Sequence, residues 1–350
     1  MPLISLQYLR AIAALMVVCV HLHVQVERMG HAGAWPDWAA SGVDIFFVLS
    51  GFLMWATTAG RNQGAGEFYR RRVVRIVPLY WLLTSVVVAV LVFAPRLMQS
   101  VRLDPLNLLG SYLFFFAPAP TGLVMPVLVV GWTLNYEMMF YLVFGLALAL
   151  PKAWRFTVTA GVIGALVLMG FAPWMAGPVA RMYTDSIMLD FVFGMALAAG
   201  WSRLPAGIAP RCAAPAGMTL LALGFVGLAG LWGMPGLARA VTSGLPAAMV
   251  VGGALLLERS GWLPRVPGLR PLGDSSYSLY LSHPIVLSAF AQAWQKAGLH
   301  QLPGGMWWFC AAAVVLCVVA GGAVYRCIEW PLTRYFGAFT GARLDSPERA

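Results

Sequence analysis

Apolar runs close to twenty residues long recur along this chain, and no other feature limits its fold so strongly. Crossing the hydrocarbon core of a bilayer takes about 20 residues of α-helix. Ten such stretches can be drawn, at 5–25, 40–59, 73–94, 132–150, 156–174, 186–201, 214–233, 240–257, 276–296 and 306–328, the sixth of them short. The chain is 60% hydrophobic and only 10% charged, more apolar surface than a soluble protein of 350 residues can bury. The expected class is an all-α polytopic membrane protein with about ten transmembrane helices. The stretch 106–130 is also apolar, but Pro118, Pro120 and Pro126 break it, so it reads as a re-entrant or interfacial segment.

Basic residues orient this layout, because cytoplasmic loops collect lysine and arginine. With the N-terminus in the cytoplasm, only Arg28, Arg96, Arg102, Arg181, Arg239 and Lys296 fall outside, leaving 17 of the 23 basic residues inside. An eleventh span at 106–130 would invert every later loop and spoil that bias. Both termini are therefore expected in the cytoplasm, with residues 1–335 as one transmembrane domain and 336–350 as a short cytoplasmic tail. The net charge of +10 reports loop orientation, not a nucleic-acid partner. Cys19, Cys212, Cys310, Cys317 and Cys327 form no C-x-x-C pair and no metal-ligand spacing, so they read as free thiols and no metal is expected. Ala32-Gly33-Ala34 resembles a leader cleavage site, but Arg10 lies within the preceding apolar run, which argues for a retained first helix.

Charged side chains inside apolar helices are costly and need a partner or a watery pocket. Arg10 and His21 are eleven positions apart, which on a helix returns to within about 20° of the same face and separates them by about 16 Å. Asp44 and Glu137, near the starts of two spans that enter from outside, are expected at the outer depth of His21. An imidazole beside a carboxylate is the usual arrangement of a general base. The competing reading is structural: the two carboxylates cap helix ends or pair with Arg28 or Arg102, and His21 is a satisfied structural histidine. At the inner side, Arg72 and Arg75 share a face of the third span, and Arg75 lies inside the apolar run, where a guanidinium wants an anion such as phosphate. His283, about two turns into the ninth span, is expected to point toward Arg10 and Arg75, or else to be a hydrogen-bonded core residue beside Pro284. Trp132, Tyr136 and Tyr141 offer stacking faces for a sugar, or alternatively anchor the chain at the interface. Inner arginines and an outer base suit a long, thin phosphorylated donor such as an acyl-coenzyme A.

Five stretches carry a resemblance. They are Arg10-Ala11-x-Ala13 with His21; Gly42-Val43-Asp44-x-Phe46-Phe47-x-x-Ser50-Gly51-Phe52; Arg72-x-x-Arg75-Ile76-x-Pro78-x-Tyr80; Trp132-Thr133-Leu134-x-x-Glu137-x-x-Phe140-Tyr141; and Tyr277-x-x-Tyr280-x-x-His283-Pro284. In this order they resemble the acyltransferase-3 family of bacterial membrane O-acyltransferases, over nearly the whole chain. The resemblance implies transfer of an acyl group, commonly acetyl from acetyl-coenzyme A, to a hydroxyl of a cell-envelope or exported carbohydrate, free or lipid-linked, at the bacterial inner membrane. It matches Arg10, His21, Arg72 and Arg75 to the family's functional arginines and histidine. Some members carry a fused extracytoplasmic esterase-like domain; a chain ending at 350 is expected to work alone or with a separate partner. On this reading His21, helped by Glu137 or Asp44, acts as base, and Arg10, Arg72, Arg75 and His283 hold the donor. A transporter of a carbohydrate or anionic solute is the alternative, although no inverted repeat is visible.

Overall fold

The computed structural model describes residues 3–31, 33–58, 64–97, 102–204, 210–230 and 238–340. Among the described residues regular structure is helical, without a strand. The helices are α1 (Ile4–Arg28), α2 (Gly42–Thr58), α3 (Ala65–Phe93), α4 (Pro105–Leu113), α5 (Trp132–Ala147), α6 (Lys152–Met169) and α7 (Pro178–Tyr183). They continue as α8 (Leu189–Arg203), α9 (Pro210–Leu228), α10 (Leu245–Arg259), α11 (Leu269–Asp274), α12 (Ser276–Lys296), α13 (Gly305–Val324) and α14 (Trp330–Thr340). Each of the ten apolar stretches carries one of the longer helices.

Among the described residues, seven helical segments are long and apolar enough to cross a membrane: Ile4–Arg28, Asp37–Thr58, Ala65–Phe93, Lys152–Met169, Pro178–Arg203, Ala240–Arg259 and Gly305–Ala338. The three helices outside this set have physical reasons for standing apart. α5 is only 16 residues long. The apolar part of α9 spans Cys212–Leu228 and is also short. α12 is long enough, at 21 residues, but Ser276, Ser278, Ser282 and His283 lower its hydropathy, and all four are buried inside the protein.

The proline-broken stretch is a short helix followed by irregular backbone. Asp104 caps α4, accepting from the Asn107 amide at 2.9 Å, and Pro105 opens its first turn. The chain then turns at Phe114, whose φ of 59° is left-handed. Buried side chains satisfy the loop that follows. Asn107 Nδ2 donates to the Met125 carbonyl at 2.8 Å, Ser111 Oγ accepts from Val127 N at 2.9 Å, and Tyr183 Oη accepts from Phe116 N at 3.2 Å. Irregular backbone among apolar helices is stable only when it is covered and bonded in this way.

This loop delivers α5 to an unexpected depth. Tyr280, in the second turn of α12, donates to the Val130 carbonyl at 3.1 Å and bonds Thr133 Oγ1 at 2.8 Å. Gly131 lies against Tyr80, where an added Cβ would meet the phenol oxygen at 2.6 Å. Tyr80 is about half-way along α3. At its other end α5 meets the first turns of α3, because Tyr69 Oη donates to the Leu142 carbonyl at 2.8 Å. α5 is therefore a half-length helix starting inside the bundle.

α1 runs through the middle of the assembly, against α2, α10, α11, α12 and α13. Its first amides have no local cap and use a distant one: Glu258 accepts from Ile4 N at 2.8 Å, Ser5 N at 2.9 Å and Ser5 Oγ at 2.5 Å. α2 and α8 cross closely, since a Cβ on Gly51 would stand 2.0 Å from the Phe191 carbonyl oxygen. At the C-terminus, the tail expected from 336 continues α14 to Thr340; its remainder lies outside the described residues.

Candidate active site

Helices α1, α2, α3, α5 and α12 line a partly open cavity. Three guanidinium groups, Arg10, Arg72 and Arg75, line it together with one carboxylate, Glu137. Arg10 Nε donates to Ser276 Oγ at 3.2 Å. Arg75 makes no side-chain hydrogen bond among the described residues, and Arg72 Nε is buried without one. Three guanidinium groups in one cavity, with donors to spare, favour a polyanion. Glu137 is held by Ser50 Oγ at 3.0 Å and by a short hydrogen bond from Tyr141 Oη, so its charge is oriented before anything binds. A second carboxylate, Glu329, sits in a π-helical turn between α13 and α14, accepts from Ser278 Oγ at 2.5 Å, and is close enough to act on Arg75 and Arg10. Such turns often re-aim a side chain at a functional site.

The histidines form a second centre. His283 Nε2 lies 3.3 Å from His21 Nδ1, and the rings meet edge to face at 4.9 Å. His21 Nδ1 also lies 2.9 Å from the Val17 carbonyl, and His283 Nδ1 3.2 Å from that of Leu279. Tyr280 and Phe46 link this pair to the cavity: both line it, they pack at 5.9 Å, and Tyr280 is 6.0 Å from the His283 ring.

The three outer groups expected to meet are not assembled as expected. Glu137 stands with the arginines, because α5 starts half-way along α3 and not at the bundle's edge. Both Asp44 oxygens go to Arg239, at 2.9 and 2.8 Å, with a second buried carboxylate, Asp190, beside them. Neither Asp44 nor Glu137 hydrogen-bonds His21. His283, expected to point at Arg10 and Arg75, points at His21 instead. Arg10, Arg72 and Arg75 do converge. Of the aromatics, Tyr141 lines the cavity. Tyr136 is 1% exposed and its ring is covered by Phe47, Phe116 and Trp132, which gives both Tyr136 and Trp132 to the core.

The sequence reading gives no site role to Ser50, Ser276 or Arg239, and reads Glu329 only as a partner for Arg326 or Arg334. Ser50 lay within the quoted Gly42–Phe52 stretch, and its spacing from Asp44 along α2 was the available signal. Nothing local marks Arg239, whose partners come from α2 and α8. Among the described residues no group of three or more His, Cys, Asp or Glu side chains stands ready to hold a metal.

Fold and site together define a polytopic helical membrane protein with a cationic internal cavity. The chain belongs to the acyltransferase-3 family, whose profile, described as an acyltransferase domain, matches residues 3–325. It is 39% identical over 300 residues to the exopolysaccharide production protein ExoZ of Rhizobium meliloti (strain 1021), covering 84% of this chain and 90% of that one. It is 26% identical to the putative peptidoglycan O-acetyltransferase YrhL of Bacillus subtilis (strain 168), over 96% of this chain and 56% of that one. It is 25% identical to the O-acetyltransferase OatA of Staphylococcus aureus (strain NCTC 8325 / PS 47), over 94% of this chain and 57% of that one. The chain thus spans little more than half the length of the latter two. No solved structure matches it.

Proposed function

We propose that the protein is an inner-membrane O-acyltransferase that moves an acyl group, acetyl in the simplest case, from acyl-coenzyme A to a hydroxyl of an exported or cell-envelope carbohydrate, free or lipid-linked. In this reading nine of the longer helices cross the membrane whole, α5 completes its crossing together with the buried loop that precedes it, and both termini lie in the cytoplasm. The observation that carries it is the cavity of Arg10, Arg72 and Arg75 facing a single lining carboxylate, with Arg72 Nε left unbonded. A coenzyme with several phosphates fits that donor set. The three guanidinium groups bind and orient the donor, and Glu137, fixed by Ser50 and Tyr141, holds their geometry. His21, about three turns along α1 from Arg10, is the base. It takes the acceptor's hydroxyl proton as the new ester bond forms, and it returns a proton to the departing thiolate. Asp44 acts through Arg239, keeping the crossing of α2 and α8 beside the cavity in place.

The test uses purified protein in detergent, with radiolabelled acetyl-coenzyme A and alkali-deacetylated exopolysaccharide as acceptor. Wild type transfers label and is stabilised by coenzyme A; Arg72→Ala loses the stabilisation and His21→Ala loses transfer. Solute movement in proteoliposomes with neither transfer nor coenzyme A stabilisation would favour a transporter instead.

A further inference from the structure

The histidine pair says more than that two imidazoles are neighbours. A main-chain carbonyl only accepts hydrogen bonds. His283 Nδ1 faces the Leu279 carbonyl at 3.2 Å, in a turn where Pro284, having no N–H, leaves the Tyr280 carbonyl without its helical partner. His283 Nδ1 must therefore carry a proton, and in the neutral ring Nε2 is then a bare lone pair. That lone pair points at His21 Nδ1, 3.3 Å away. His21 Nδ1 faces a second acceptor as well, the Val17 carbonyl at 2.9 Å. Two acceptors around one nitrogen fix a proton on it, so His21 is held as the Nδ1–H tautomer with Nε2 unprotonated. Among the described residues no protein group hydrogen-bonds His21 Nε2. His283 is fully buried, whereas His21 is only partly so: one ring is the backing and the other is the face.

We propose that His283 is a positioning residue that sets the tautomer and the ring plane of His21, so that His21 Nε2 presents its lone pair to the acceptor hydroxyl. This rests on the acyltransferase reading above and adds a role to it. As the acceptor oxygen bonds the acyl carbon, the hydroxyl proton passes to His21 Nε2. The charge on the ring is then shared through Nδ1–H with two neutral acceptors, Val17 O and His283 Nε2. The carbon–sulfur bond breaks and the His21 Nε2 proton goes to the thiolate, leaving a free thiol and the starting tautomer. His283 touches neither donor nor acceptor. A carboxylate in its place would do the same work in a soluble enzyme; here a neutral ring does it without burying a charge among apolar helices.

The deciding experiment compares wild type, His283→Leu and His283→Gln under steady-state turnover with acetyl-coenzyme A and alkali-deacetylated exopolysaccharide. Glutamine can place an amide oxygen where Nε2 was; leucine cannot. His283→Leu should lower kcat on the order of 10²-fold at unchanged KM for acetyl-coenzyme A, within the usual span for losing an oriented base. His283→Gln should recover activity to within about tenfold of wild type. Equal loss in both variants, or a raised KM with kcat intact, would overturn the positioning role, the second by moving His283 to donor binding. Melting temperatures of both variants keep the comparison fair: a leucine variant that unfolds leaves glutamine rescue as the deciding arm, and a folded but inactive glutamine variant refutes the role. An inactive wild type would instead defeat the acyltransferase reading itself.

Discussion

Arg239 grips Asp44 with two parallel hydrogen bonds, Nε to Oδ1 at 2.9 Å and Nη2 to Oδ2 at 2.8 Å. Asp44 is fully buried in the first turn of α2, and Asp190 of α8 is buried against it. Removing one partner of a buried pair costs far more than the pair contributes. Arg239→Met should therefore destabilise the protein by about 3–5 kcal/mol, leaving two buried carboxyl groups without their cation. Combining it with Asp44→Leu should cost less than Arg239→Met alone. Thermal unfolding in detergent decides; a double variant as unstable as the sum of the singles would show that the pair is not coupled.

The arginine cavity predicts a division of labour measurable by binding alone. Each hydrogen bond from a guanidinium to phosphate is worth about 1.5–3 kcal/mol, so Arg72→Ala and Arg75→Ala should each weaken coenzyme A binding by about ten- to a hundredfold. Affinity in wild type should fall as salt rises, and less steeply in either variant. Titration calorimetry at two salt concentrations checks both. Unchanged affinity in both variants would remove the donor from this cavity.

Gly51 sits in a stretch that reads as chemical, between Ser50 and Phe52, yet its role is steric. A methyl group there would lie 2.0 Å from the Phe191 carbonyl oxygen, which is backbone and cannot swing away. Gly51→Ala should part α2 from α8 and cost about 1–3 kcal/mol, as overpacking does. Loss of melting temperature with coenzyme A affinity retained is the expected pattern. A variant as stable as wild type would mean that the two helices can separate freely.

Glu258 is predicted to matter more for stability than a loop-proximal glutamate usually does. It satisfies two amides and one hydroxyl at the start of α1. Glu258→Ala leaves them unpaired and should cost about 1–3 kcal/mol, whereas Glu258→Gln keeps an acceptor and should cost less. Circular dichroism melts of the two variants give the order, and equal losses would show that charge rather than hydrogen bonding holds the end of α1.

Much of this architecture was legible because bilayer thickness writes itself into apolar runs. The convergence of Arg10, Arg72 and Arg75 was also legible, since helical periodicity puts Arg72 and Arg75 on one face and an arginine inside an apolar run demands company. Depth was not legible for α5. Placing Glu137 beside His21 assumed that α5 begins at a membrane surface, and the buried loop ahead of it, held by Asn107, Ser111 and Tyr183, starts it half-way along α3. The partner of Asp44 was equally hidden, since Arg239 precedes a π-helical turn on a different part of the chain. Local pattern reports what a helix is made of; it does not report where a loop lets the next helix begin.

The wiring of α1 has a consequence for how the protein is made. Ile4 and Ser5 are tied to Glu258, 254 and 253 positions later; Arg10 to Ser276, 266 later; His21 to His283, 262 later. Helix α1 thus leaves the ribosome long before the residues of α10 and α12 that hold it. Until α12 has been synthesised, Arg10 and His21 stand in the bilayer without their partners Ser276 and His283, and α1 is at its most vulnerable to ejection or to membrane proteases. Biogenesis, not only chemistry, therefore depends on the serines and the histidine of α12, and a nascent chain halted before residue 283 should be cleared by quality control rather than persist as a partial bundle.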